Sequence, residues 1–548
     1  MAIVTFELDE LARLGLAKEN VEEVVEKLGM SLDGLDGKTA IIDITPNRPD
    51  LLDIVGFARA SEFLMGKKVP KQKFYEIKNS PIMQIKVTSS VKKIRPFIAA
   101  AVVKKIDLNG SRLKNLINFT EKFCETYGRK RKKIAIGIYD MDHVAGPLTY
   151  DASKDGEFIP LGSKEKATFA KILKEHPKGI EYSNILSKSK IYPFLKDTNG
   201  ILSLIPIINS ESSRVTNGTK NILIEMTGTS QSAVERALDM IICSFIDLGA
   251  EIYPCEIVYP NKKIITPQLP YGEIRIKRSK AEKTLGVYLD ENRLLGLANK
   301  LGNVAAKYGN YTLVYIPPYR LDVINEQDVI EDIAIAYGYD KIEPMPIESI
   351  SIGLPEESRN KSNRISRLMV GMGFSEAMNF YLTNEQLNFT SLGYKENAES
   401  TIKVTYAKTE AITMLRTNLL SGLMQNLGNS TNERMPQRLF EIGNVFYIDN
   451  EKVKEDTNLS IVSEHSRANY SEIKAVVLEL LKFIGCNDYT LKEFGDDAFI
   501  DGRAAKIVRG KEELGHFGEI NPQVLSYFKI EEPVVAAEIY ISKCLKNL

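Results

Sequence analysis

The sequence predicts a multidomain protein of the α+β class. At about 150 residues per domain, its 548 residues suggest three or four domains. Hydrophobic residues make up 43% of the chain and charged residues 26%, which is ordinary for globular protein and allows each domain its own core. Stretches with helical spacing of apolar residues are interspersed with short apolar strands, and no repeat of about 20 to 50 residues marks a solenoid.

Charge and cysteine usage argue against several classes of protein. Lys and Arg number 72, and so do Asp and Glu, so the net charge of zero gives no sign of a nucleic-acid partner, and any RNA contact would need a local basic patch. No apolar run approaches the about 18 residues of a membrane span, and the N-terminus lacks the features of a signal peptide. The five cysteines form no CxxC pair, which argues against structural zinc or disulfides and for a reducing compartment. We therefore expect a cytoplasmic protein.

The first predicted unit, residues 1–88, mixes helices with strands. Apolar residues recur at helical spacing in 21–28. A short strand at Ile41–Ile44 ends in the turn Thr45–Asp50, which two prolines make stiff. We expect a helix from about Leu51 to Leu64 to follow.

The second predicted unit, residues 89–262, opens with the apolar strand Phe97–Val103. Its basic run, Arg129–Lys133, leads directly into a second apolar strand, Ile134–Ile138. A long amphipathic helix closes the unit, because the apolar residues of 234–245 share one helical face. The basic run either contacts nucleic-acid phosphates or is solvated surface, and we favour the second interpretation because charge runs are usually surface.

The third predicted unit, residues 263–345, is small and mostly helical. Two short helices at Ser279–Leu285 and Asp290–Leu301 precede the strand Thr312–Ile316. A helix from about Gln327 to Tyr337 follows. This order is like that of a winged-helix module, which is an analogy of fold only.

The fourth predicted unit, residues 350–548, again mixes helices and strands. Arg364–Met372 has the pattern of a helix and Arg438–Phe446 that of a strand. Ala504–Val508 and Val534–Ile541 are predicted to be strands of an antiparallel sheet.

The sharpest motif lies in the third unit, where Pro317–Val323 precedes a helix that begins near Asp328. Asp328, Glu331 and Asp332 occupy one side of its first turn, and Asp322 lies just before it. Four carboxylates within eleven residues suit a hard cation such as Mg²⁺. Carboxylates also favour the positive end of the helix dipole, and on spacing alone that simpler interpretation is the more common one.

The same stretch resembles a known family. Pro317–Val323 (PPYRLDV) and Asp328–Ile342 (DVIEDIAIAYGYDKI) resemble the B5 domain of the phenylalanyl-tRNA synthetase β subunit. Thr45–Leu52 is similar to the N-terminal motif of that subunit, Arg131–Asp140 to its B3/B4 domain, and Gly515–Pro522 to its C-terminal catalytic-like domain. The matches follow the order of the family and touch every predicted unit. Because the bacterial subunit is longer, the length favours the archaeal and eukaryotic cytosolic type.

The resemblance implies a nature for each unit. Residues 1–88 would form a B1-like domain and 89–262 a B3/B4 editing-type domain. Residues 263–345 would form a winged-helix-like B5 domain, and 350–548 a class II synthetase-like domain with an antiparallel sheet. The family's Mg²⁺ ligands fall on the four acidic residues of the third unit: Asp322, Asp328, Glu331 and Asp332.

The resemblance also implies partners. The chain would act with an α subunit, as an (αβ)₂ heterotetramer, in the ATP-dependent attachment of phenylalanine to its tRNA. The α subunit would bind the ATP. A class II site needs an arginine on the ATP α-phosphate and a glycine-rich motif that ends in a second arginine. Here the spacing in Arg438–Glu441 is one residue too long, and Asp501–Ala504 lacks the glycine series. Because adenylate formation depends on such preorganised cations, we expect no aminoacylation residue in this chain.

Editing is the chemistry that the chain itself could perform. Tyrosine is phenylalanine with one added hydroxyl, which an apolar pocket rejects only weakly, so a second, hydrolytic site is expected. By resemblance, Ser203, Glu225 and Thr227 match the family's editing site, with Glu225 in place of an aspartate that reads the tyrosyl hydroxyl. The simpler interpretation is that these are ordinary residues of alternating strands.

Two functions of other classes stay open. One is a stand-alone nucleic-acid-binding protein that uses the winged-helix-like unit, and the zero net charge argues against it. The other is a free-standing aminoacyl-tRNA deacylase built on the B3/B4 unit. The retained B5 and C-terminal segments argue against a deacylase, because a lone editing enzyme would not need them.

Overall fold

The computed structural model describes residues 2–70, 75–346, 352–354, 356–396, 399–407 and 409–545. The chain divides into two compact units, residues 1–346 and 347–548, and each is described by itself. Among the described helices, none has both the length and the apolar character that a membrane span needs.

The first unit begins with a three-stranded antiparallel sheet in the order β1-β3-β2. Period-2 burial along β3 puts every second residue into the core. The helix predicted from Leu51 begins later, because Pro49–Leu52 forms a 3₁₀ turn and Asp53 caps the helix by accepting a hydrogen bond from the Val55 amide. The elements are β1 (Ala2–Glu7), α1 (Leu8–Arg13), α2 (Val21–Lys27), β2 (Ser31–Leu35), β3 (Thr39–Ile44) and α3 (Ile54–Leu64).

A ten-stranded sheet follows in the same unit, in the order β12-β11-β10-β7-β4-β14-β5-β13-β6, with β15 paired to β14. It extends beyond the predicted limits of residues 89–262, because β4 and the end of β15 both belong to it. Its elements are β4 (Met83–Val87), β5 (Phe97–Lys104), α4 (Arg112–Glu125), β6 (Ile134–Asp140), β7 (Leu148–Ser153), β8 (Glu157–Phe158), β9 (Ala167–Thr168), α5 (Phe169–Glu175), α6 (Pro177–Tyr182), β10 (Tyr192–Lys196), β11 (Ile201–Leu204), β12 (Ile208–Asn209), β13 (Asn221–Gly228), α7 (Gln231–Asp247), β14 (Glu251–Tyr259) and β15 (Lys262–Thr266). The short strands β8 and β9 pair with each other.

This large sheet separates two cores, because successive residues of a strand point to opposite faces. On β13, Ile224 and Met226 pack with α7 on one face. Leu223 packs on the opposite face, where Tyr139 of β6 and Leu202 of β11 also lie. The same alternation directs the side chains of residues 225 and 227 toward the face opposite α7.

The last part of the first unit is a three-stranded antiparallel sheet in the order β16-β18-β17 with three helices. Only the middle strand of this sheet was predicted from the sequence. Strand β17 escaped it because the alanines and exposed polar residues of this segment lack an apolar alternation. The elements are β16 (Gly272–Ile276), α8 (Arg278–Leu285), α9 (Glu291–Asn299), β17 (Val304–Tyr308), β18 (Tyr311–Ile316) and α10 (Glu326–Tyr337).

The second unit is built on a seven-stranded sheet in the order β19-β22-β23-β27-β26-β25-β24. All neighbours are antiparallel except β19 and β22. Helix α14 packs on one face and α13 on the other. The predicted strands Arg438–Phe446 and Ala504–Val508 lie within β22 and β25, whereas the predicted strand Val534–Ile541 runs two residues past the end of β27 at Ile539. The α+β prediction is confirmed.

The elements of the second unit, in chain order, are α11 (Glu357–Gly371), β19 (Ser375–Glu376), β20 (Leu382–Thr383), α12 (Glu385–Asn388), β21 (Met414–Leu415), α13 (Leu420–Asn429), β22 (Gln437–Asp449), β23 (Lys452–Glu464), α14 (Tyr470–Phe483), β24 (Thr490–Glu493), β25 (Phe499–Arg509), β26 (Glu512–Ile520), α15 (Pro522–Phe528), β27 (Val534–Ile539) and α16 (Ile541–Cys544). Strands β20 and β21 form a separate pair.

Candidate functional site

Two of the three predicted editing residues meet through a tyrosine. Glu225 of β13 and Ser203 of β11 are both buried. The hydroxyl of Tyr139, on β6, lies 2.8 Å from Ser203 Oγ and 3.1 Å from Glu225 Oε1. A phenol has one proton, so when Tyr139 donates to the carboxylate it must accept from the serine. We call Ser203, Tyr139 and Glu225 the glutamate cluster.

A glycine makes room for this cluster. Gly137 is the residue of β6 directly opposite Glu225 on β13. A Cβ at position 137 would lie 2.6 Å from Glu225 Oε1 and 2.6 Å from the Tyr139 hydroxyl. Any larger residue there would therefore displace the carboxylate.

The environment of Glu225 changes its acidity. Burial raises the pKa of this carboxyl to about 7, although the hydrogen bond from Tyr139 and the charge of Arg95 oppose the rise. Its Oε2 atom is buried and has no hydrogen-bond partner among the residues that the structure describes. Such an atom is rare in a folded protein, because an unpaired buried acceptor is costly. Burial therefore favours the protonated form of Glu225, and its Oε2 atom is left without a protein partner among the described residues.

The third predicted residue, Thr227, belongs to a neighbouring network. Its side-chain oxygen accepts a hydrogen bond from Arg95 Nε at 3.0 Å, and its carbonyl accepts one from Arg95 Nη2 at 2.6 Å. Arg95 is itself buried. The structure therefore brings Ser203 and Glu225 together and holds Thr227 beside them through an arginine.

The acidic cluster predicted in residues 263–345 contains its own cation, Arg320. Arg320 donates two hydrogen bonds to Asp322, at 2.9 and 2.7 Å, and two to Asp332, at 2.9 and 2.8 Å. Asn303 also donates to Asp332, at 2.8 Å. Burial would raise the pKa of Asp322, but the charge and hydrogen bonds of Arg320 outweigh it and lower the pKa to about 2.

The other two acidic residues have different surroundings. Asp328 accepts hydrogen bonds from the backbone amides of Ile324 and Asn325, at 2.7 and 2.9 Å, in the capping box of α10. Although the surface of Glu331 is largely exposed, the loss of hydration on its covered side and the charges of the other three carboxylates raise its pKa. The simpler interpretation, a carboxylate at a helix N-terminus, thus describes Asp328.

The carboxylates of the cluster suit Mg²⁺ in their chemistry, and Arg320 competes with a metal ion for two of them. Carboxylate oxygens are the ligands that Mg²⁺ prefers. Within the described part of the chain, however, no group of three or more acidic, histidine or cysteine side chains is placed to hold a metal ion. The reason is that Arg320 occupies the space between Asp322 and Asp332.

The turn Thr45–Asp50 and the motif that contains Asp322 are far apart in the sequence but lie together in the first unit. In the turn Thr45–Asp50, the buried Arg48 donates to Asp50 at 2.9 and 2.8 Å. Burial opposes the charged form of Arg48, and the charges of Asp50 and of Asp322 favour it and raise its pKa. The two motifs therefore form one buried network of charges.

In the second unit, the arginines that a class II site would use are already paired. Arg438 contacts Glu472 at 3.1 Å, and Arg503 contacts Glu519 at 2.6 Å. Glu441 is buried and forms a 2.5 Å ion pair with Arg416. Each of the two arginines, Arg438 and Arg503, thus has a carboxylate partner in this structure.

Known proteins resemble this chain over its whole length. Residues 81–241 match the family model of the B3/4 domain, 274–339 that of the tRNA synthetase B5 domain, and 343–541 that of the phenylalanyl tRNA synthetase beta chain CLM domain. The phenylalanine–tRNA ligase beta subunit of Archaeoglobus fulgidus is 34% identical over 99% of this chain and 98% of its own. The chain belongs to the phenylalanine–tRNA ligase beta subunit family.

Further relatives agree with this family. The beta subunit of Pyrococcus horikoshii is 34% identical over 98% of this chain and 96% of its own. The crystal structure of an N-terminal fragment of the phenylalanyl-tRNA synthetase beta subunit from the same organism superposes with a TM-score of 0.59 at 32% identity. It covers 62% of this chain and all of the fragment. The family resemblance predicted from the motifs is therefore confirmed, and the domain limits and site residues stay predictions.

Four residues that organise the candidate sites were not predicted from the sequence. Gly137 and Tyr139 lie two apart on β6, so a period-2 analysis of that strand could have placed them on one face. Arg320 stands inside the quoted motif, but only its carboxylates were considered. Arg95 gave no signal, because it lies in a segment without periodicity.

Proposed function

We propose that this chain acts as the partner subunit of a phenylalanine–tRNA ligase and that an α subunit carries the aminoacylation site. The observation that carries the proposal is the pairing of Arg438 with Glu472 and of Arg503 with Glu519. An arginine that a carboxylate already neutralises offers little stabilisation to a developing phosphate charge. The similarity to ligase beta subunits over the full length supports the same role.

An apolar surface of the second unit suits such a partner. We call residues 378–382 the apolar segment. Met378 is 89% exposed and Phe380 is 90% exposed, and Tyr381 and Leu382 are also exposed. Asn379 fixes the segment by donating to Glu441 through its backbone and its side chain, at 3.2 and 2.8 Å. A rigid, exposed run of large apolar residues is typical of a protein interface, and we infer that the α subunit covers it. The (αβ)₂ assembly and the cytoplasmic location stay predictions.

We further propose that the glutamate cluster edits tRNA that has been mischarged with tyrosine. Ionised Glu225 can accept a hydrogen bond from the tyrosyl hydroxyl through its unpartnered Oε2 atom. A phenylalanyl group would leave that oxygen unsatisfied, which favours hydrolysis of the tyrosyl ester over the correct one. Because Glu225 is only 3% exposed, the residues that cover it must move when a substrate enters.

Copurification and charging test the main proposal. The tagged chain would be isolated from its native cells at moderate salt, and the eluate would be assayed for the amino acid that it attaches to tRNA. Recovery of a second subunit and charging with phenylalanine alone would support the ligase. A chain that comes down alone and charges nothing would favour a deacylase or a binding protein.

Hydrolysis of tyrosyl-tRNA by the same complex tests editing. Glu225→Ala should lower the rate on tyrosyl-tRNA by about 10-fold to 100-fold, because the acceptor for the tyrosyl hydroxyl is lost, and should leave phenylalanine charging unchanged. Glu157→Ala, at an exposed position of the short strand β8, is the matched control. Equal hydrolysis by both variants would remove Glu225 from the site.

We propose Mg²⁺ binding at the acidic cluster on the basis of donor chemistry and family resemblance. Asp328→Ala should then lower the Mg²⁺ content of the purified complex, measured by elemental analysis after dialysis. Asp340→Ala removes an exposed carboxylate just beyond the same helix and is the control. Equal Mg²⁺ content in both variants would exclude a role for Asp328.

A further inference from the structure

The basic run predicted as solvated surface has an uncommon backbone. Arg129, Lys130 and Arg131 have φ angles of 52°, 51° and 64°. Three consecutive non-glycine residues in the left-handed region are unusual, because each brings its Cβ close to the backbone. Strain of this kind persists where the surroundings fix it, and it is concentrated at functional sites. We call residues 129–133 the basic turn.

Two arginines fix the basic turn through backbone carbonyls. Arg95 Nη1 donates to the carbonyl oxygens of Arg131, at 3.0 Å, and Lys132, at 3.3 Å. Arg131 Nη1 in turn donates to the carbonyl oxygens of Pro206, at 3.0 Å, and Ile207, at 2.8 Å. The basic turn is therefore a built loop with a defined shape.

The remaining cations of the basic turn have no anionic partner. Arg129, Lys130 and Lys132 are exposed, and none of them forms an ion pair within the described residues. Lys133 is half-buried, and its pKa is lowered by burial and by the positive charges of Arg129 and Arg236. Cations that lie close enough to repel one another, in a loop that is held in place, are suited to bind an external anion.

The same contacts join the basic turn to the candidate editing site. Arg95 donates to Thr227 as well as to the turn. The Lys133 carbonyl accepts a hydrogen bond from the Thr229 amide at 3.3 Å. Gly137, which faces Glu225, follows Lys133 by four residues on β6, or about 13 Å along the strand.

We propose that the basic turn is a phosphate-binding site for the 3′ strand of an aminoacyl-tRNA, whose ester lies at the glutamate cluster. This inference rests on the proposed editing function, because that function brings an RNA chain to this end of the sheet. Lysine and arginine side chains bind phosphodiesters with release of counterions. The exposed cations of the turn, which form no ion pair within the described residues, are available for such contacts. Arg131 also lies 4.3 Å over the ring of Tyr182, an arrangement that supports stacking of an unpaired base nearby.

Salt-dependent RNA binding by the intact complex tests the proposal. Lys130→Gln combined with Lys132→Gln removes two exposed charges without touching the buried anchors. The probe is an acceptor-stem RNA hairpin with a single-stranded 3′ end and no anticodon arm. The variant should bind it about 10-fold more weakly near 0.1 M salt, and the slope of log Kd against log salt should fall by about 1.4, since each lost contact to single-stranded RNA removes about 0.7. Lys164→Gln combined with Lys166→Gln has the same spacing and exposure and is the control.

The outcomes separate this inference from the editing proposal. A reduced slope for the turn variant alone, with a raised KM and an unchanged kcat for hydrolysis of tyrosyl-tRNA, supports the site. Equal slopes for the wild type and both variants would overturn it and return the turn to solvated surface. If the wild type hydrolyses no tyrosyl-tRNA but the slope still falls, editing fails and the RNA contact stands. Binding of an acidic peptide at the basic turn in preference to the hairpin would also contradict the proposal.

Discussion

At the scale of single residues, Glu225 links the fold of the sheet to its proposed chemistry. Its oxygen Oε1 meets Tyr139, and its oxygen Oε2 meets no partner within the described residues. Burial therefore dominates and raises its pKa to about 7. A group with this pKa changes its charge in the range where the chain would work, so the acceptor that reads a tyrosyl hydroxyl should become available as the pH rises.

Local stability around β13 should depend on pH through Glu225. The pKa of this carboxyl is about 7 in the folded chain, against an ordinary value of 4.5 for a glutamate, so folding favours the protonated form. The contribution of this group is therefore fully present below pH 4.5 and is lost as the pH rises through 7, by up to about 3 kcal/mol. Glu225→Gln should lack this loss. Hydrogen exchange of the β13 amides at pH 5 and pH 8, corrected for intrinsic rates, measures it. A constant difference between wild type and variant would contradict the pKa.

Arg320 is the residue on which the acidic cluster depends. Arg320→Met would leave the carboxylates of Asp322 and Asp332 buried without a counter-charge, and we expect the free energy of unfolding of this domain to fall by about 3 to 5 kcal/mol. Arg320→Lys should recover only part of the loss, because an ammonium cannot form the paired hydrogen bonds to both carboxylates. Hydrogen exchange of the α10 amides, measured during thermal denaturation, reports the stability of the domain that contains Arg320 separately from the rest of the chain. Equal stability of all three proteins would show that the carboxylates find other partners.

The candidate site could be predicted from the sequence only in part. The motif in Pro317–Val323 and the segment around Glu225 were identified because residue identities are sufficient for a family resemblance. That Arg320 would bridge two of the predicted metal ligands, and that Tyr139 would join Ser203 to Glu225, depends on distances across the fold. Such contacts between distant residues leave no local pattern of spacing or periodicity.

At the scale of elements, the strands with a clear apolar signal were predicted and those without it were not. The apolar patterns of the buried strand β5 and of the amphipathic helix α7 run without interruption in the sequence, and each segment forms one continuous element in the structure. The helix proposed from Leu51 begins later, because Pro49–Leu52 forms a 3₁₀ turn and Asp53 is the N-cap. The left-handed backbone of the basic turn had no signal either, because arginines and lysines do not favour it.

The strain in the basic turn can be tested by two substitutions at one position. Lys130 has a φ of 51°, where glycine is unstrained and alanine is not. Lys130→Gly should therefore be more stable than Lys130→Ala by up to about 1 kcal/mol, although glycine gains entropy in the unfolded chain. Hydrogen exchange of β6, which follows the turn, gives the comparison. If alanine proved more stable, residue 130 would not be held in the left-handed region in solution.

At the scale of the whole molecule, the order of motifs along the chain predicted the family, and the α+β class followed from the mixture of periodicities. The order in which the strands pair in the sheets could not be predicted from the sequence. The large sheet takes β4 and β15 from outside the predicted limits of its unit, because a strand joins a sheet through backbone hydrogen bonds that its sequence does not reveal.

Because we propose that an α subunit carries the aminoacylation site, this chain must reach its function through assembly, and we expect substitutions in the apolar segment to weaken that assembly most. Met378→Asp combined with Phe380→Asp places two charges on side chains that are 89% and 90% exposed, so the fold of the second unit should tolerate them. At an interface with the α subunit, the same charges would be buried without partners, and we expect the affinity to fall by at least about 100-fold.

Val453→Asp provides the control for this last prediction, because Val453 is 64% exposed in the same unit but lies on the hairpin of β22 and β23. Capture of the α subunit from cells, together with phenylalanine charging by the eluate, measures the effect. If the double variant loses both capture of the α subunit and phenylalanine charging while Val453→Asp keeps them, the α subunit binds the apolar segment. Full capture by the double variant would mean that the partner binds another surface, and the exposure of Phe380 would then need a different explanation.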